Sequence, residues 1–143
     1  MFKRQKKYHI VIMSLLVIGL VSCSSAPPVY ISSSPISSSQ SSTQRKVGTA
    51  ILSASRFYEE WNIRKVRPGE MKAILSYGEH TATASIPYDA NNFHIIYQSS
   101  NNFSYDKEDQ TIHPRYNHWV KRLENRIHEE IQYHLQLSEE NQE

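Results

Sequence analysis

Met71-Lys72-Ala73-Ile74-Leu75-Ser76-Tyr77-Gly78-Glu79-His80-Thr81-Ala82-Thr83-Ala84-Ser85-Ile86-Pro87-Tyr88 is the stretch from which the fold class follows. Met71, Ala73, Leu75 and Tyr77 occupy alternate positions, and beyond Gly78-Glu79 the alternation resumes at His80, Ala82, Ala84, Ile86 and Tyr88. A period of two puts one set of side chains on one face of a strand. Thr and Ala in the intervening places suit strands with one face covered and the other exposed. Two strands joined by a tight link are therefore expected.

Working outward, Trp61, Ile63 and Val66 mark a preceding strand over Trp61–Val66, joined through Arg67-Pro68-Gly69-Glu70. Pro presets φ at the second turn position and Gly supplies positive φ at the third, which is a type II turn. Asp89-Ala90-Asn91-Asn92 is turn-forming, and Phe93, Ile95 and Tyr97 carry the alternation into a fourth strand. Four short strands with tight links predict an antiparallel meander.

Helical spacing appears on both flanks. Val47, Ala50, Ile51, Ala54 and Tyr58 share a face over about Arg45–Tyr58, with Thr43 or Gln44 available as cap. Residues 99–112 read as a long polar loop pinned at Phe103, Tyr105 and Ile112, and Pro114 suits the first position of a helix. Tyr116, Val120, Leu123, Ile127, Ile131 and Leu135 then step by three or four to about Leu137, and an acidic tail, 138–143, follows. Lys121, Arg122, Glu124, Arg126, Glu129 and Glu130 read as the solvated face of that helix. The expected class is α+β: helix, four-stranded antiparallel meander and long C-terminal helix over residues 45–137, with both helices on one face of the sheet. The other face is left wet or open to a partner.

The N-terminal part carries an address. Lys3, Arg4, Lys6 and Lys7 precede an apolar run from Ile10 to Val21 that ends in Leu20-Val21-Ser22-Cys23. A basic start, a run of about 7–15 apolar residues and small residues at the cut describe a secretory signal, here residues 1–22. The run is short of the roughly 20 residues a membrane-spanning helix needs. Leu20-Val21-Ser22-Cys23 resembles the lipobox of bacterial lipoproteins, which implies diacylglycerol on the Cys23 sulfur, cleavage before it and a third, N-linked acyl chain. Such multiple acylation makes a stable membrane anchor. Cys23 is the sole cysteine, so no internal disulfide can form. Ser24 stands where inner-membrane lipoproteins often carry Asp, so the resemblance implies the periplasmic face of the outer membrane, with inner-membrane anchoring the lesser alternative. Residues 23–44, rich in Ser with Pro27, Pro28 and Pro35, read as a flexible tether with a span of roughly 25 Å.

Charge narrows the partners. Sixteen Lys and Arg against fourteen Asp and Glu give +2, but four of the basic residues lie in the signal. Twelve against fourteen remain, and a chain at about −2 with no basic stripe does not suit nucleic acid.

The domain from about Val47 to Leu123 is similar to a group of small Gram-negative lipoproteins of uncharacterised activity. The pieces that carry this are Trp61 with Pro68-Gly69, His80-Thr81-Ala82, Ile86-Pro87-Tyr88 and Ile95-Ile96-Tyr97. Asn102-Phe103-Ser104-Tyr105-Asp106 and Ile112-His113-Pro114-Arg115-Tyr116-Asn117-His118-Trp119-Val120 complete them. The family pattern has Arg two residues before the His, where this chain has Gly78. The resemblance implies a lipid-anchored periplasmic domain and supplies no activity.

Chemistry-bearing patterns are sparse. No two of His80, His94, His113, His118, His128 and His134 stand at i, i+2 or i, i+4, and His128-Glu129-Glu130-Ile131-Gln132 has Gln where a zincin needs its second His. No G-x-S-x-G elbow or phosphate loop is present. Glu70, Glu79, Asp89 and Asp106 are mostly turn residues, so a carboxylate pair for sugar-bond hydrolysis has little support. Tyr88, Tyr97, Tyr105, Tyr116 and Trp119 with Asn102 and Asn117 are chiefly packing residues, Tyr116 and Trp119 pinning the long helix to the sheet. As a recognition surface the set to test is His80, Tyr88, Asn102, Tyr105, Asp106, His113, Tyr116, Asn117 and Trp119. The expectation is a non-enzymatic interaction module contacting another envelope protein or the cell wall, without metal or cofactor beyond the acyl chains on Cys23. The alternative is a small-ligand or metal site built from His80, His113, Tyr105 and Asp106.

Overall fold

Residues 26–36 and 42–140 are described by a computed structural model of the chain. The expected signal, Cys23 and residues 141–143 of the expected acidic tail lie outside them, as do residues 24–25 and 37–41 of the expected tether. In order the elements are β1 (Ser32–Pro35), α1 (Gln44–Ala54), a 3-10 turn (Ser55–Phe57), β2 (Trp61–Arg67), β3 (Glu70–Tyr77), β4 (His80–Pro87), β5 (Asn92–Asn101) and α2 (Pro114–Glu140). The class is α+β, as the periodicities predict.

The meander β2–β5 is antiparallel throughout, with Ala73 opposite Ala84 and Leu75 opposite Ala82. Its alternation is the one read from the sequence. Trp61, Ile63, Met71, Ala73, Leu75, Ala82, Ala84, Ile86, Phe93 and Ile95 are all buried on one face. Asn62, Arg64, Ser76, Thr81 and Gln98 are exposed. Val47, Ala50, Ile51 and Ala54 of α1 and Val120, Leu123, Ile127 and Ile131 of α2 join the buried face in a single apolar cluster, so both helices cover the same side. The β2–β3 turn uses Gly69 at φ +81°, and a Cβ there would come within 2.9 Å of the Gln44 amide nitrogen. The positive φ is what calls for glycine, since the end of the Gln44 side chain is free to shift.

Among the described residues the sheet has five strands rather than four. β1 comes from the Ser-rich segment expected to be a tether, and it pairs antiparallel with β5, placing Ser32 opposite Ile95 and Ser34 opposite Phe93. The strand order is β1-β5-β4-β3-β2. Apolar content does not reveal this strand, because Ser32 and Ser34 are buried through hydrogen bonding. Their hydroxyls bond to each other at 3.1 Å, and Ser34 donates to the Glu124 carboxylate on α2.

Other boundaries move for local reasons. α1 begins at Gln44, capped by the Thr43 hydroxyl, which accepts from the Lys46 amide at 3.3 Å. It gives way to the 3-10 turn before Tyr58. A register shift between Lys65 and Arg67 turns Val66 out to solvent. β5 continues to Asn101, because a second shift, which leaves Gln98 as the extra residue, lets Ser99, Ser100 and Asn101 pair with Thr83, Ala82 and Thr81. The loop is therefore shorter than expected, and Phe103 and Ile112 anchor it in the core. α2 runs past Leu137 to Glu140, into the expected acidic tail.

Candidate functional site

The structure does not bring all nine residues proposed from sequence together: Tyr88 stands apart, at the other end of β4 from His80. His80, at the start of β4, donates from Nδ1 to the Asn102 carbonyl at 2.7 Å, and its ring lies 5.1 Å from that of Phe103. Asn102, at φ 61°, donates from its side chain to the Glu79 carbonyl at 2.8 Å. The pair fastens the β3–β4 hairpin to the end of β5. The Asp106 carboxylate accepts from the Glu108 and Asp109 amides at 2.8 and 3.1 Å, which makes it a turn cap. His113 accepts at Nδ1 from the Arg115 amide at 3.1 Å, capping α2. Tyr105 stacks 4.5 Å from Tyr97.

Of the remaining four, Tyr116, Trp119 and Tyr88 are packing residues and Asn117 is a hydrogen-bonding clamp. Tyr116 is fully buried, with Tyr97 and Phe103 edge-on around it. Burial and then the nearby Tyr97 push its hydroxyl pKa well above the usual tyrosine value. Trp119 is buried beside Tyr77, as expected of a residue pinning α2 to the sheet. Tyr88 lies at the far end of β4 from His80, pressed against Gly48 of α1. Asn117 clamps the N-terminal segment, accepting from the Tyr30 amide at 2.9 Å and donating to the Pro28 carbonyl at 2.8 Å. Among the described residues no three His, Cys, Asp or Glu side chains converge as a metal-holding group. Of the four donors considered for one, His113 and Asp106 are engaged as caps.

A different concavity emerges from residues read as solvated. The C-terminal part of α1, the 3-10 turn and the second half of α2 enclose a cleft of about 500 Å³. Its rim carries Phe57 and Tyr133, whose exposures of 57% and 55% are high for aromatic side chains. Arg126 lines the same cleft, its guanidinium carbon 3.3 Å from the Phe57 ring centre. Nη1 of Arg126 reaches Glu129 at 2.8 Å and Nη2 reaches Glu130 at 2.6 Å. Glu130 is 7% exposed and Arg126 about a quarter, so this is no freely solvated charge row. The sequence signal was the spacing of Arg126, Glu130 and His134 by four, which stacks them on one stripe of α2.

Ser53 Oγ lies 3.2 Å from His134 Nε2, and Glu130 lies 3.9 Å from the same nitrogen. A nucleophile–base–acid relay needs the serine and the carboxylate on opposite ring nitrogens. With both on Nε2, the group is a polar seam between helices. A second, smaller depression of about 300 Å³ lies on the open sheet face near Lys72, Ser85 and Gln98.

No protein-family model, curated protein or solved structure matches the chain. Among the described residues no helix is long and apolar enough to cross a membrane.

Proposed function

We propose that this chain is a lipoprotein of the Gram-negative envelope, anchored through acylated Cys23 to the outer membrane, whose periplasmic domain is a non-catalytic interaction module. The anchor rests on the sequence Leu20-Val21-Ser22-Cys23 behind a basic and apolar leader. The observation that carries the interaction role is the cleft rimmed by Phe57 and Tyr133. Exposed aromatics around a preformed concavity are the usual anchors of protein recognition. Arg126 is already held by two carboxylates and by the Phe57 ring, so little side-chain freedom is lost on binding. The partner that suits it is a polypeptide segment of another envelope protein, with an apolar side chain to seat between the rings.

A photo-crosslinking residue at position 133 of the intact protein in cells tests this reading. It should capture one reproducible envelope protein, and Phe57→Ala should weaken capture by about tenfold or more, as loss of an aromatic anchor does. No captured protein, or capture indifferent to Phe57, would overturn the role. Cys23→Ser should abolish fatty-acid labelling, and undiminished label on that variant would overturn the anchor.

A further inference from the structure

The Ser-rich segment was expected to hold the domain well away from the lipid, but most of its length is spent on the domain itself. The Ile112 amide donates to the Pro27 carbonyl at 3.0 Å, and the Val29 amide donates to the Gln110 carbonyl at 2.9 Å. Asn117 clamps Pro28 and Tyr30 from α2. Farther on, the Tyr30 hydroxyl donates to Glu124 at 2.7 Å, the Lys121 ammonium sits 5.0 Å from the centre of the Tyr30 ring, and Ser34 donates to Glu124. The segment thus runs beside α2 from Asn117 to Glu124, and its N-terminal end points to the loop at 110–113 and the start of the helix.

Only Ser24 and Ser25 separate Cys23 from Ala26. Three trans peptide steps of about 3.8 Å allow at most about 11 Å between the Cα atoms of Cys23 and Ala26 in any conformation. We infer that the 108–113 loop and the first turn of α2 form the membrane-facing end of the domain, resting against the lipid headgroups. This rests on the acylation of Cys23 proposed above.

The surface at that end fits headgroups rather than hydrocarbon. Glu108, Asp109, Gln110, His113 and Arg115 are exposed and polar, with both signs of charge. Contact is therefore enforced by the short covalent leash. The cleft lies along the second half of the helix. Arg126 and His134 lie 12 and 20 residues beyond Pro114, about 18 and 30 Å along the axis. One end of α2 meets the anchor and its second half presents the recognition cleft.

Energy transfer to an acceptor lipid tests the arrangement in intact acylated protein, reconstituted in vesicles of phosphatidylethanolamine and phosphatidylglycerol. Because Cys23 carries lipid, a donor dye can be placed uniquely through Gln110→Cys or Gln136→Cys. Transfer should be clearly stronger from position 110. Inserting ten Gly/Ser residues between Ser25 and Ala26, which leaves every bond of the docked segment in place, should cut transfer from 110 by about half as the leash lengthens. Equal transfer from 110 and 136, or no response to the insertion, in protein whose Cys23 peptide shows the acyl mass would overturn the orientation alone. A Cys23 peptide without acyl mass would overturn the anchor and the orientation with it.

Discussion

Tyr116 buries a hydroxyl that has no hydrogen-bond partner among the described residues. A buried donor left unpaired costs roughly 1–3 kcal/mol, so Tyr116→Phe should leave stability unchanged or raise it. Urea denaturation gives the answer, and a loss of stability would show that the hydroxyl is not idle. Gly48 makes the opposite case. A Cβ there would lie 2.7 Å from the Tyr88 hydroxyl oxygen and 3.0 Å from its ring. Overpacking of this kind costs about 1–3 kcal/mol, against a helix-propensity gain of at most about 1 kcal/mol for Gly→Ala. Gly48→Ala should therefore destabilise the domain, and Tyr88→Phe in that background should recover part of the loss by removing the nearest atom. Strictly additive effects in the double-mutant cycle would refute the contact.

β1 is held by side chains more than by its four residues of pairing, and its main tie is titratable. Burial pushes the Glu124 carboxyl up, but the hydroxyls of Ser34, Tyr30 and Ser32, helped by the His128 ring, outweigh it and hold the group below its usual value of 4.5. A depressed carboxyl stabilises the state that depresses it above the ordinary pKa, and the benefit fades as pH falls through the lowered value. The Tyr30 hydroxyl is shifted up, chiefly by its bond to Glu124, with burial and the charge of the carboxylate adding to it. That contribution is complete below the ordinary tyrosine value of 10.0 and is lost as pH rises through the raised one. The N-terminal segment should thus stay docked across the neutral range and loosen on acidification below the carboxylate range, while β2–β5 remains paired. Amide resonances of Ser32 and Ser34 would report it, and Glu124→Gln should remove the acid dependence. The same acid transition in that variant would place the responsible group elsewhere.

The whole sheet depends on β1 for one of its edges. At the other edge, β2 carries Arg64, Lys65 and Arg67 exposed, charges that discourage pairing with another chain. β5 has no such protection, and β1, a short strand ending in Pro35, covers its first part, Asn92–Ile95. A chain starting at residue 42 should keep its meander and helices but self-associate through the uncovered β5 edge. Sedimentation velocity beside a chain starting at residue 26 checks this, and equal behaviour of the two would show that β1 does not guard the edge. The N-terminal segment thereby covers the β5 edge, and under the anchoring proposed above it is the same segment that would join the sheet to the lipid.

Strands, helices, turns and the shared buried face were legible in the amino-acid order, because periods of two and 3.6 and the turn chemistry of Pro68-Gly69 are local. So was the packing role of Tyr116 and Trp119. Three things were not. Ser32 and Ser34 looked like tether, since a hydroxyl becomes a core group only when a partner such as Glu124 is brought over it. Arg126 and Glu130 looked solvated, since their burial is set by where Phe57 and α1 come to lie. The nine candidate residues looked like one surface, yet Tyr88 and His80 stand at opposite ends of the same strand. Composition and spacing record what each segment can do alone, while burial of a polar side chain depends on distant partners, which only the packed chain supplies.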